Sequence, residues 1–147
     1  MKSILLSLVL ALAFVGCSSM SSMNSGERLA LYKANAGAPV SSFRYFGQLD
    51  SWEELGDDAL AVWTRPREAW LLELSGPCNG LAYSPVIGLT DQFGRVQAGF
   101  DNVLVRDPSA INIPCRIHTI RPLDVTAIRQ AEQAARAQAS RASSGNH

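Results

Sequence analysis

The densest apolar run outside the N-terminus lies between Ala59 and Leu74, ALAVWTRPREAWLLEL. Trp70, Leu72 and Leu74 interleave with Ala69, Leu71 and Glu73, the period of two of a pleated strand. The pattern predicts two strands, Leu60–Thr64 and Glu68–Leu74, folded back across Arg65-Pro66-Arg67. Leu60-Ala61-Val62-Trp63 is apolar on both faces, which predicts a central strand covered on both sides.

Ahead of this hairpin, Ser25 to Ala34 reads as a short helix capped by Ser25, with Glu27 in its first turn and Gly37 and Pro39 beyond its end. Val40 to Leu49 alternates as a first strand, with Gly47 marking a bulge or a close backbone approach. Asp50 to Asp58 holds five carboxylates in nine residues. Their spacing does not match a calcium loop, so a solvated turn is expected, with Gly56-Asp57-Asp58 making the reversal and Trp52 and Leu55 dipping into the core. Gly76 to Gly80 is turn-rich.

Val86–Thr90 and Arg95–Phe100 are expected to form a second hairpin around Asp91-Gln92-Phe93-Gly94, with Val96, Ala98 and Phe100 inward. Asp101 to Val105 continues that strand or starts another, and Arg106 to Asn112 reads as a polar loop. Ile113 to Arg121 is the last strand, with Cys115, Ile117 and Thr119 on one face. Asp124 then caps an alanine-rich helix with a thin apolar face of Val125, Ile128, Ala131 and Ala135, expected to pack loosely or project and to fade into disorder from Ser143 to His147. Short strands with helices only at the ends predict a mainly β (α+β) fold: a single small antiparallel sheet or half-barrel of six or seven strands.

The N-terminus changes the picture from a core to an address. After Met1-Lys2 comes a twelve-residue, mainly apolar region, Ile4 to Val15, too short to span a bilayer (about 20 residues are needed) and suited to a signal peptide over residues 1–16. The segment ends Phe14-Val15-Gly16-Cys17, which resembles the bacterial lipobox, with Phe14 where Leu is usual. The resemblance implies a lipidated Cys17 and, because Ser18 follows it, the outer membrane facing the periplasm. Ordinary cleavage near Ala13 or Gly16 is the other reading, and it would leave the protein secreted or periplasmic. Residues 17–26 would then be the lipid-bearing cysteine and a polar tether, followed by a β-rich domain over 27–124 and a helix and tail over 125–147.

If Cys17 carries lipid, Cys78 and Cys115 remain as an even pair in an oxidising compartment, where a disulfide is the default. A redox or metal site is disfavoured: there is no Cys-x-x-Cys, and His118 is the only nearby histidine. No cofactor signature is present. The formal charge of zero argues against a nucleic-acid binder. Residues 27–94 carry five basic and nine acidic groups, residues 95–147 seven and four, a weak dipole on a solvated surface.

Candidate chemistry is sparse. A serine or cysteine nucleophile would need His118, which alternation turns away from Ile117, and no Gly-x-Ser-x-Gly appears. Asp101 and Asp124 read more simply as a turn aspartate and a helix cap. Arg44, Arg65, Arg67, Arg95, Arg116 and Arg121 lie on or beside strands and either converge on an anionic ligand or simply face solvent. Trp52, Trp63 and Trp70 read as core. The exposed turn offers Arg65 and Arg67 as partner contacts.

The string SFRYFGQLDSWEELGDDALAVWTRPREAWLLEL, with the later PC, GRV, FDNV and PCRI–IRPLD segments, resembles an uncharacterised family of small proteobacterial secreted proteins and lipoproteins, a domain of unknown function, over about Val40 to Asp124. The resemblance supports export and the disulfide and implies no activity, ligand or catalytic residue. The expectation is a non-enzymatic lipoprotein, bound to the membrane through its N-terminal lipid, whose domain meets an envelope protein or a cell-wall component. The alternative is an inhibitor or immunity-type lipoprotein that blocks a toxin or hydrolase.

Overall fold

A computed structural model of the chain describes residues 23–106, 111 and 113–145. The expected signal peptide, Cys17 and most of the tether lie outside these residues, as do most of the Arg106–Asn112 loop and the last two residues. The element order is α1 (Ser25–Ala34), β1 (Ser42–Arg44), β2 (Ser51–Glu54), β3 (Ala59–Arg65), β4 (Glu68–Leu74), a 3-10 turn (Leu81–Tyr83), β5 (Ile87–Leu89), β6 (Arg95–Gln97), β7 (Asn102–Val105), β8 (Cys115–Leu123) and α2 (Val125–Ser144).

Six strands form a curled half-barrel sheet in the order β2-β3-β4-β8-β7-β5, and β1 pairs with β6 in a separate ribbon. Every pairing is antiparallel. The expected central hairpin is present: β3 and β4 pair from Ala59↔Glu73 to Arg65↔Glu68 across Pro66-Arg67. Its two apolar faces serve two cores. Leu60, Val62, Leu72 and Leu74 face a core closed by Phe43, Tyr45 and Val96 of the β1–β6 region. Ala59, Ala61, Ala69 and Leu71 face a second core closed by Tyr32 of α1 and by Val125 and Ile128 of α2. The fold is therefore ribbon, sheet and helices in three layers, which is why β3 carries no polar side.

Two bulges bend the sheet. One leaves Thr64 unpaired between Trp63 and Arg65. The other opposes Glu73↔Thr119 and Leu74↔Ile117, so His118 is the extra residue. A bulge resets the alternation. Ile117 and Ile120 therefore both face the ribbon-side core, while Thr119 joins Leu29, Lys33 and Glu73 on the helix side, not the face of Cys115 and Ile117 that strict alternation gave it.

Other expectations are corrected. The second hairpin does not form: β5 pairs with β7, and β6 pairs with β1. Only the turn is as expected, with Gly94 at φ +74. Phe100 is exposed because β6 ends at Gln97 and the chain turns through Gly99 at φ +80. The acidic stretch is not all turn, since Ser51–Glu54 is the edge strand β2, in which Glu53 pairs with Arg28 of α1. Val40–Leu49 is not one long strand: pairing stops at Arg44, and Gly47, at φ +83 in open space, turns the chain toward β2. The cap of α1 is Asn24, in a reciprocal box with Glu27, so Ser25 lies inside the helix. Asp124 caps α2 as expected, accepting from Ala127 N at 3.0 Å. That helix runs on to Ser144, docked by Val125 and Ile128 and exposed from Arg136 onward.

Candidate functional site

The strongest concentration of exposed recognition chemistry lies where the β3–β4 turn meets the ribbon. Pro66 and Arg67 form the two-residue turn, with Arg65, Pro66 and Arg67 all exposed. Thr64 Oγ1 donates to Glu68 Oε1 across the turn, and Arg129 Nη2 of α2 donates to Pro66 O at 3.0 Å, so the tip is braced from both sides. The Arg65 guanidinium sits 5.2 Å from the centroid of Phe46. Phe46 is 57% exposed, so its ring is a shelf for that cation and not a core member.

The ribbon continues this surface. Phe43↔Val96 is its buried pair, and the next pair, Arg44↔Arg95, faces outward. Two like charges directly opposite one another destabilise a strand pair. Among the described residues no carboxylate lies within ion-pair distance of Arg44, Arg65, Arg67 or Arg95. At the end of the ribbon, Gln92 and Arg95 exchange backbone hydrogen bonds at 2.9 and 3.1 Å around Phe93-Gly94. Both central residues have positive φ, +53 at Phe93 and +74 at Gly94. Asn, Asp or Gly is the usual first residue of such a turn, and a bulky side chain there is strained. Phe93 is nonetheless fully exposed, at 104%. Tyr45 N donates to Gly94 O at 2.9 Å, which holds this turn beside Phe46. Phe93→Asn is expected to raise stability by about 1 kcal/mol, read as a higher thermal midpoint, because it relieves the backbone and gives up no buried contact.

Of the six strand-associated arginines, the fold brings Arg44, Arg65, Arg67 and Arg95 to this end. Arg116 instead donates to Gly99 O at 2.7 Å, and Arg121 Nε turns to the helix side, 3.6 Å from Glu73 Oε2, an ionic contact too long for a strong hydrogen bond. The tryptophans are packing residues. Trp70 stacks on Phe43 at 5.1 Å, Trp63 meets Tyr32 edge-on at 6.3 Å, and Trp52 lies against the ribbon-side core.

Two depressions lie among the described residues. One, of about 430 Å³, is lined by Pro77, Asn79, Val105, Ile113, Cys115 and Arg116 beside the Cys78–Cys115 disulfide, whose Cα atoms are 5.6 Å apart. The other, of about 200 Å³, gathers Lys33, Asp58, Glu73, His118 and Thr119. His118 reaches it because it is the bulge residue. Lys33 Nζ already holds Glu73 at 3.0 Å, and the volume is below the usual range for ligand pockets, about 300 Å³ upward. Among the described residues no cluster of His, Cys, Asp and Glu could hold a metal ion, and no helix is long and apolar enough to cross a membrane.

Two buried polar groups explain motifs that could be mistaken for chemistry. Asp101 is not a turn residue at the surface: it is 3% exposed, accepts from Thr90 Oγ1 and Gln97 N at 2.8 Å each, and its main chain receives Ile117 N at 2.9 Å. It clasps β6, β7 and β8 together. Asp101→Ala is expected to cost about 3 kcal/mol in denaturant unfolding, because it strands buried donors. Tyr32 donates to Glu53 Oε2 at 2.7 Å and to Glu132 Oε1 at 3.4 Å, while Arg28 pairs with Glu53 at 2.8 Å. Burial first, then the hydrogen bond to Glu53, pushes the Tyr32 phenol well above its ordinary value. A raised folded pKa means this stability is complete below about pH 10 and is lost as pH climbs above it, once the unfolded phenol ionises. Tyr32→Phe is expected to cost about 1 kcal/mol at neutral pH and to shallow the alkaline decline. Burial also raises Tyr45, so part of the decline persists.

A model of a family of unknown function, DUF6491, matches residues 1–139. The chain belongs to that family. No curated protein and no solved structure matches it. The matched span takes in all eight strands and both cysteines of the disulfide, and the family, being one of unknown function, supplies no residue roles.

Proposed function

We propose that this DUF6491 chain is an exported lipoprotein, anchored by Cys17 at the periplasmic face of the outer membrane. Its domain acts as a non-enzymatic module that binds an envelope protein or a cell-wall component through the Arg65-Pro66-Arg67 tip. The observation that carries the binding reading is the braced, exposed tip, whose two arginines have no ion-pair partner among the described residues. The apolar segment Ile4–Val15, the Cys17 that follows it and the disulfide support export. The weakly equipped His118 depression supports a binding role over a hydrolytic one.

The test places a photocrosslinking residue at Pro66 in cells. A discrete product that disappears when Arg65 and Arg67 are both changed to Glu supports the reading. A product indifferent to that reversal, or none at all, argues against the tip. The second reading, an immunity-type inhibitor, predicts that expression protects cells from a periplasmic toxin encoded next to this gene.

A further inference from the structure

The outward face of the β1–β6 ribbon has chemistry that neither packing nor the hairpin tip explains. Arg44 and Arg95 are held side by side against their mutual repulsion. Phe93 is held at positive φ with its ring wholly in water, and Phe46 lies half-exposed next to that turn. The paired arginines and the strained Phe93 work against the fold's own stability. Asp91, the carboxylate beside the turn, is turned onto Gly94 N at 2.8 Å and leaves the two guanidinium groups without a pair.

We propose that this face docks on a bilayer containing anionic phospholipid, with Phe93 entering the headgroup boundary and Arg44 and Arg95 binding lipid phosphates. A protruding aromatic flanked by cations needs no complementary socket in its partner, and a lipid interface is the surface that offers none. Guanidinium forks match phosphate oxygens in a bidentate manner, and an anionic leaflet attracts each nearby arginine. The chain's own length supplies the proximity, while the choice of face rests on the ribbon's chemistry, since α1 lies across the sheet from it. From Cys17 to Asn24 there are seven peptide steps, spanning at most about 25 Å, so an anchor at Cys17 keeps the domain within reach of the bilayer. The inference rests on the lipoprotein reading for that proximity only. Docking by this face would leave the hairpin tip at its border, where Arg65 already covers Phe46.

The experiment uses the full chain with its disulfide formed and a nitroxide on Phe93→Cys or, as a control, on Arg141→Cys. It is mixed with vesicles of phosphatidylcholine alone or with phosphatidylglycerol added. Flotation with neutral vesicles reports the N-terminal attachment. Oxygen against nickel-complex accessibility of the label reports the ribbon. The expected result is that the label at position 93 moves from water into an oxygen-rich environment only when phosphatidylglycerol is present, while the label at position 141 stays in water. Adding Arg44→Glu to the labelled chain should weaken this docking at least about fivefold, one cationic contact's worth, without lowering the thermal midpoint, since the change replaces a like-charge pair with an opposite one. A label at position 93 that stays in water on both vesicles overturns the inference, even where flotation succeeds. So does a label that is shielded only after an envelope protein is added, which would assign the face to a protein partner.

Discussion

Replacing Cys78 and Cys115 together with alanine is expected to lower the domain's stability by about 4 kcal/mol, because the unfolded chain regains the freedom of a long loop. The closed loop spans a sequence separation of 37 and contains β5, β6 and β7. In a domain of this size such a loss should appear as a fall of about 15 °C in the thermal midpoint. It should also be local in its first effects. β7 is joined to β8 only through Asn102↔Arg116 and Val103↔Cys115, and β5 hangs on β7 at the end of the sheet. Without the bond, amide hydrogens of β5 and β7 should exchange before those of β3 and β4. A midpoint unchanged by the double substitution would show that the bond contributes nothing to the fold.

Leu72→Ala is expected to cost about 3 kcal/mol. Leu72 is wholly buried in β4, paired with Leu60 on one side and Ile120 on the other, at the middle of the ribbon-side core. Sheet backbone on both flanks limits collapse into the vacated space, so the loss includes a cavity as well as the transfer of the missing carbons. Urea unfolding with an unchanged slope and a lower midpoint checks it. A loss below about 1 kcal/mol would mean that β4 is not the central strand this architecture makes it.

The sequence made legible whatever depended on neighbours along the chain. Leu60 to Leu74 announced a two-faced hairpin because alternation and a Pro-containing turn are local, and Asp124 announced a helix for the same reason. What failed was long-range. Local pattern pairs Arg95-Val96-Gln97 with its nearest strand, Val86–Thr90, but its partner is Ser42-Phe43-Arg44, some fifty residues away. Nothing in either segment encodes that choice except the need to cover Leu72 and Val62 from the open side of the sheet. Strict alternation also hid the bulge at His118, since a single extra residue exchanges faces for everything after it.

The candidate site was half legible for the same reason. Arg65 and Arg67 were visible as an exposed turn. Gly94 marked Phe93 as a turn residue, but its complete exposure, and the meeting of Arg44 with Arg95, exist only once β1 and β6 pair. Asp101 lay in a recognised segment, Phe-Asp-x-Val, yet its burial follows from three strands converging on it.

The mass of the chain purified from membranes tests most directly the proposed exported, lipid-anchored, disulfide-bonded binding domain. The predicted result is a mature protein that begins at Cys17, carries the added mass of acyl groups on its N-terminal peptide, and contains Cys78 and Cys115 in one linked peptide pair. A chain that begins elsewhere without lipid, or that yields Cys78 and Cys115 as free thiols under non-reducing conditions, would contradict it.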